Sequence, residues 1–533
     1  MTESRSRPYR AYLPIWVWIW LALYAGFVVW LRWITESDDQ GLVNMATMIC
    51  SVLALLVLAI WFTFFSRFRR RTRFRWLAGV AVTVAVALTV FEWQGFSGSL
   101  VPRFGLRFDG EAAIPEAPAT LAGGGIDLVT TTPEDFPGFL GPNRDLRVPG
   151  VTLARDWEAE PPEAIWRQPI GEGWSAFAVV NGIAVTMEQR GDEQAVTAYD
   201  LLTGELRWSH SWPGTYFHAL GGSGPRSTPL IDGGRVYALG PRGRLLCLDG
   251  ATGEPIWEKD LLEEFGVSPE KEFELIQFGR SNSPLVVGDL LIIPGGGLPD
   301  RPPASLVAYD KVTGEKVWEG GSTQISHSSP RLVTLGGREQ ILILDEDRAT
   351  GHDPETGAVL WEHPWPGKTS ANATSSQAVP VPPDRVFVSK GYGGGSALFE
   401  LLPRGDGTFD TGEIWHEQRS LRTKFTNVVI HEGHVYGLSE GILECVRLDT
   451  GERVWKEGRY GQGQILMVGD TLLIQTEDGE IVHLDPSPER PNDVLGRFQA
   501  IEGTSWNNLA LYGPYLVVRN SREAAVWRLP LAG

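Results

Sequence analysis

The chain has 533 residues, 43% hydrophobic, 10% aromatic and 21% charged, enough apolar surface to bury more than one core. Its net charge of -18 argues against nucleic acid as a partner, and three cysteines are too few for a disulfide scaffold. The average hides a division: residues 1–93 hold 10 Arg and 5 acids, which leaves -23 for the remainder.

The first 93 residues read as a membrane module. Leu13 to Leu31 carries no charge, and its 19 residues nearly cross a hydrocarbon core of about 30 Å. Uncharged stretches at 42–65 and 76–91 predict a second and a third span, the third short enough to borrow flanking residues. Between them lies SRFRRRTRFR, with six arginines in 66–75, whereas the loop after the first span holds Glu36, Asp38 and Asp39. Arginine-rich short loops stay on the cytoplasmic side, so the amino terminus is expected inside and everything after the third span outside. Residues 94–163 contain many prolines and the run Gly123-Gly124-Gly125, and read as a linker to an outer domain at 164–533.

The outer domain repeats one unit. AYDLLTGELRW (198–208), CLDGATGEPIW (247–257), AYDKVTGEKVW (308–318), GHDPETGAVLW (351–361) and RLDTGERVW (447–455) are five good copies. TFDTGEIW (408–415) is a degenerate sixth, and 483–498 a seventh with Phe498 in place of tryptophan. The marker positions from Trp208 to Trp257, Trp318, Trp361, Trp415, Trp455 and Phe498 are 40 to 61 residues apart, a period that suits a four-stranded propeller blade. In each unit an alternating strand ends in Asp, Thr-Gly makes the turn, and the next strand ends in Trp. Burying one such indole removes about 150–250 Å² from water, so a tryptophan on every outer strand can hold adjacent blades together.

Inner-strand segments recur near Phe177, Thr228, Ser283, Ser329, Gln377, Asn427, Gln464 and Asn507, which makes eight blades, with seven as the alternative. The last unit, ending at AAVWRL (524–529), lacks an outer strand, and AIWRQP (164–169), with Trp166, supplies one that has no blade before it. The ring is therefore expected to close through 164–169, leaving no open sheet edge. The segments leading into the inner strands hold Arg226, Arg280, His327, Lys368, Arg422, Lys424 and Arg459 against only Glu172 and Glu502. Arg226, Arg280, Asn282, His327, Lys424 and Asn427 are the candidates for lining the channel or holding a cofactor, and a positive funnel for an anionic ligand follows if they face it. The alternative is that these bases pair with acids on neighbouring loops.

These units resemble the tryptophan motif of quinoprotein-type, PQQ-like β-propeller repeats, and the stretch 224–257 is similar to bacterial PQQ-binding-like repeat proteins and to the lipoprotein propeller of the outer-membrane β-barrel assembly machinery. The resemblance implies an all-β, eight-bladed propeller of a bacterial protein; with the three transmembrane helices read above, the chain is expected in the inner membrane with its propeller in the periplasm or outside the cell. The resemblance also implies one of two jobs. One is a non-enzymatic binding or scaffold module for an envelope protein or a small anionic ligand, and the other a PQQ-dependent dehydrogenase that oxidises an alcohol or aldose and reduces membrane quinone. The second would need calcium, its oxygen ligands and a carboxylate base. No Glu-Asn-Asp set of that kind is evident here, which favours the binding module; no catalytic residue and no metal ligand is named. His431-Glu432-Gly433-His434 lacks zincin spacing and sits where a hairpin turn belongs. Cys247 and Cys445, four blades apart, lie too far from one another to bond.

Overall fold

The computed structural model describes residues 14–34, 39–108, 114, 126–298, 303–366 and 373–532, in two compact units, 1–111 and 112–533. Lys368, one of the basic lead-in residues, lies outside the described residues.

In the first unit, α1 (Ile15–Val29), α2 (Gln40–Ile60) and α3 (Arg70–Val90) lie in three helical stretches, Ile15–Trp33, Gln40–Phe65 and Arg70–Val90, each long and apolar enough, in length and composition, to cross a membrane. The first two continue through wider π turns at Trp30–Ile34 and Trp61–Phe65. Asp39 caps α2 by accepting the Gly41 amide at 2.8 Å. The third helix begins at Arg70, inside the stretch expected to be a loop, because arginine is a good helix former and its long stem lets the charge stay in water. Behind it β1 (Phe91–Phe96) and β2 (Pro102–Leu106) form a hairpin.

The second unit is an eight-bladed propeller. Its blades span 178–213, 230–260, 285–320, 331–364, 379–417, 428–459, 464–499 and 510–528, the first seven each with four antiparallel strands in chain order and the last with three. The strand Glu163–Pro169 completes the last blade, with Trp166 opposite Val526, so the ring closes as expected. Two short helices, α4 (Leu261–Phe265) and α5 (Pro269–Leu275), are inserted between the second and third blades and account for the longest step between tryptophans.

The repeated motif makes the joints between blades. Asp200 Oδ1 accepts the amides of Leu202 and Thr203 and the Thr203 hydroxyl, and Asp249, Asp310 and Asp353 fix their turns in the same way. The indole N–H of the preceding blade donates to a carbonyl of that turn: Trp166 to Leu201 at 2.7 Å, Trp208 to Gly250 at 3.0 Å, Trp257 to Lys311 at 3.3 Å and Trp318 to Pro354 at 3.2 Å. Trp415 to Leu448 at 3.0 Å and Trp455 to Ser487 at 3.1 Å repeat the contact. The glycine of the turn lies flat on the same indole; at Gly357, φ is +72° and a Cβ would sit 2.4 Å from the Trp318 ring. Trp361 departs from the rule, donating at 2.5 Å to Gln340 of its own blade. The fifth blade has no tight Thr-Gly turn to receive it: Asp410-Thr411-Gly412, expected as the turn of the degenerate copy, lies within the strand Phe409–Glu417, and the chain reverses earlier, at 404–408.

The largest difference from expectation is at 126–163. The proline- and glycine-rich segment packs into the propeller from Leu128 onward, with Phe136, Leu140, Leu146, Leu153 and Trp157 all at most 4% exposed. Phe136 exchanges backbone hydrogen bonds with Val179, Pro137 accepts from Ile231, and Arg144 donates to the carbonyls of Pro284 (2.6 Å) and Ser283 (3.1 Å). Arg147 donates to the Ile430 carbonyl, and Arg147–Val148 adds a parallel fifth strand to Met467–Val468. These partners belong to the inner strands, or their lead-ins, of the first, second, third, sixth and seventh blades, so the segment crosses the axis and caps the channel where the inner strands end. Trp157 stacks on His483 with ring centroids 4.6 Å apart.

Two outcomes are expected. Gly357→Ala costs about 2 kcal/mol through its positive φ and the clash with Trp318, whereas Gly405→Ala, with open space around it, is neutral; chemical denaturation measures both. His483 is fully buried, has no hydrogen-bond partner among the described residues, and is pushed down to about 4 by burial. The unfolded imidazole titrates near 6.5, so the folded state binds the proton less well: stability is complete above about pH 6.5 and falls as pH drops toward 4, by up to about 3 kcal/mol. His483→Leu flattens that part of the melting-temperature profile.

Candidate functional site

The mouth opposite the cap is built by the lead-ins to the inner strands. In each lead-in one residue sits in a hydrogen-bonded belt around the axis. The Ala176 amide donates to Thr228 Oγ1, Thr228 to Ser283, Ser283 to Ser329, Ser329 to Gln377 and Gln377 to Asn427, all at 2.8–3.3 Å. Gln464 Nε2 bridges the carbonyls of Phe425 and Trp506, and Asn507 returns the belt to Ser175 at 2.8 Å. Extended backbone alternates its side chains, so this belt decides what faces the channel. Residues one position before it (Ser227, Asn282, Ser328, Ser376 and Thr426) are buried, and those two before it (Trp174, Arg226, Ser281, His327, Ser375 and Phe425) keep an accessible face.

This register sorts the sequence candidates. Arg226 and His327 are at the lining position. Asn282 is one step off and ties the third blade to the fourth, donating to Ser326 at 3.0 Å and Ser328 at 2.5 Å. Asn427 is a belt residue. Arg280 and Lys424, three before the belt, turn away from the axis and pair with acids. Arg280 is 0% exposed, with Nε 2.7 Å from Glu272 on the inserted α5. Lys424 is 3% exposed, 3.2 Å from Glu440. Arg459 is exposed, and Glu172 and Glu502 lie within 4 Å of Arg522 and Arg167. Arg226, Arg280, His327, Lys424 and Arg459 therefore do not form one funnel.

What remains is smaller and better defined. Arg226 donates to the carbonyls of Gly224, Gly221 and Gly222 at 2.5–3.2 Å and stacks on Tyr216 at 5.2 Å; among the described residues no carboxylate reaches it, and burial pushes it down to about 10. Ser281 and His327 meet at 2.9 Å between Oγ and Nδ1. His327 is pushed down to about 4 by burial, with Arg226 and His218 adding to the effect, so it is neutral at pH 7. Phe278 lies between His218 and His327, at 4.5 Å and 5.8 Å. From the other side comes an aromatic row: Trp174 packs on Gly222, Trp506 is 4.5 Å from Trp174, and Phe425 is 5.2 Å from Trp506.

The residues do not offer a calcium–quinone set. Such a site needs carboxylate and amide oxygens converging on one point. Among the described residues no three His, Cys, Asp or Glu converge; Glu440 is held by Lys424, and Glu477 takes the Trp506 indole and the Gln462 amide. His431 and His434 pair across a two-residue hairpin turn with Glu432 and Gly433 at positive φ. Cys247 and Cys445 are free and buried in the second and sixth blades.

Residues 192–457 match the family model described as outer membrane protein assembly factor BamB. Within the propeller, these residues carry the PQQ-like repeat that the model describes. Among solved structures, BamB from Moraxella catarrhalis aligns at 16% identity over 69% of this chain and 100% of its own, with a TM-score of 0.48. Quinohemoprotein alcohol dehydrogenase from Comamonas testosteroni aligns at 13% identity over 76% and 82%, TM-score 0.49. A europium-containing methanol dehydrogenase aligns at 12% over 75% and 98%, TM-score 0.47. No curated protein matches. At these identities and scores the structural likenesses carry no argument about role.

Removing one partner of a buried ion pair strands the other, so Lys424→Met is expected to cost about 3 kcal/mol, whereas Ser281→Ala at the lining position changes stability by less than about 1 kcal/mol. Denaturant midpoints of the two variants test the sorting of buried from lining positions.

Proposed function

We propose that the protein is a membrane-anchored binding module whose propeller, outside the cytoplasm, takes an anionic group at its open mouth: a small carboxylate or phosphate, or a carboxylate-bearing segment of an envelope protein. One observation carries the reading: Arg226, with no carboxylate partner among the described residues, stands beside Ser281 and His327 at adjoining lining positions and opposite an aromatic row. An anion seated there gains charge-assisted hydrogen bonds, and the aromatic faces hold an apolar or planar body. Capping of the far end makes the mouth a blind pit, which suits binding rather than passage. The anchor reading is supported by three apolar helices and by the six arginines of 66–75 at the start of the third, a pattern that favours a propeller on the opposite side of the membrane from the amino terminus.

An anion beside His327 favours its protonated form, so binding takes up a proton and strengthens as pH falls. Calorimetric titration with citrate, inorganic phosphate and a peptide with a free carboxyl terminus is expected to show tighter binding of at least one of them at pH 5.5 than at pH 8. Arg226→Gln is expected to weaken it about tenfold, the loss of roughly one charge-assisted hydrogen bond. Binding by none of the three, or binding that Arg226→Gln leaves unchanged, contradicts the proposal. Reduction of a dye on alcohols or aldoses in the presence of calcium and PQQ would replace it with the dehydrogenase reading.

A further inference from the structure

We infer that the hairpin of β1 and β2 is a lipid-binding ribbon that lies in the interfacial layer of the membrane and completes the third span. The inference rests on the spanning reading of α1 to α3.

The third helix is long enough to span only if its arginine-bearing first turns are counted. Its uncharged part, the fifteen residues from Trp76 to Val90, rises about 22 Å, roughly 8 Å less than a hydrocarbon core. The chain passes from Val90 straight into β1 without an intervening turn. At about 3.3 Å per residue, Phe91 to Trp93 adds about 10 Å of further reach.

The ribbon has one apolar face, and that face is bare. Phe91 pairs with Leu106 and Trp93 with Phe104, so these four side chains form two cross-strand pairs on the same side. They are 46%, 45%, 46% and 62% exposed. The other side carries Glu92 and Gln94, with the Gln94 side chain lying over Gly105. An isolated two-stranded hairpin is marginal in water, and one that leaves four large apolar groups uncovered needs a nonaqueous neighbour.

The tip is tied down. Asn44 Nδ2 of α2 donates to the Ser99 carbonyl at 2.8 Å, and the Leu100 side chain packs against Gly41. The start of α2 and the end of α3 are the same end of the helical unit, so this contact holds the ribbon across the helix ends. Among the described residues no further strand extends the two-stranded ribbon, and open strand edges are costly in hydrocarbon but tolerated in the hydrated interface, the layer that tryptophan also favours. Continuity with the span and the tethered tip select the lipid interface as the occupant.

The test uses the full chain carrying Cys50→Ala in nanodiscs of phosphatidylethanolamine and phosphatidylglycerol; Cys247 and Cys445 stay buried and unlabelled. Spin labels are placed singly at Phe104→Cys, Glu92→Cys and Val84→Cys, and collisions with oxygen are compared with collisions with a water-soluble nickel chelate. The expected result is an oxygen-to-nickel ratio severalfold higher at 104 than at 92, with 84 in lipid. Label 104 in water while 84 stays in lipid overturns the ribbon and leaves the spans standing. Label 84 in water overturns the spanning reading and the ribbon together. Label 104 immobile and shielded from both reagents shows protein covering the face and also overturns the proposal.

Discussion

The propeller depends on one contact, an indole laid against the Asp-x-x-Thr-Gly turn of the next blade. Sheet-to-sheet packing in a ring has little directional information of its own. The indole supplies it twice, through a flat face that only a glycine can approach and through an N–H that reaches one carbonyl of the turn. Where the turn is lost, at the fifth blade, the indole finds Gln340 within its own blade, and the joint rests on apolar packing such as that of Leu360, Phe399 and Phe409.

The same geometry creates the site. Fixing the outer edges sets the inner strands around an axis, and the belt of Thr, Ser, Gln and Asn side chains locks their lead-ins in register. In the first six blades that register turns every second residue inward, so a single step along the chain separates a buried structural amide such as Asn282 from an accessible group such as Ser281; in the last two Gln462 and Ser505 are buried instead, and Trp506, one step nearer the belt, is the accessible group. At the other end the strap at 136–148 fills the space with its own backbone and with Arg144.

Much of this was legible in the amino-acid order. The tryptophan spacing foretold the blades, and the unpaired AIWRQP foretold the closing strand. Seven of the eight inner-strand markers coincide with the belt, because a residue that must bond its neighbour there is restricted to short polar types or to Gln and Asn; the first, Phe177, lies one residue beyond the Ala176 amide that takes its place. The strap was not legible: its buried residues Phe136, Leu140, Leu146, Leu153 and Trp157 follow no helical or strand period, and proline and glycine spacing alone reads as linker. The pairing of Arg280 and Lys424 was hidden for a different reason. Their acids come from α5, which interrupts the repeat at one blade only, and from Glu440 in a loop inside a blade, neither of which lies in the lead-ins where charges were compared.

The account stands or falls on which face of the propeller meets its ligand. A photoreactive benzoylphenylalanine placed at Phe425, in the open mouth, or at Leu202 and Val312, on exposed turns of the capped face, reports this directly in membranes of cells making the full chain. The account predicts adducts from position 425 that diminish when Arg226 is replaced by glutamine. Adducts from 202 or 312 with none from 425 would contradict it.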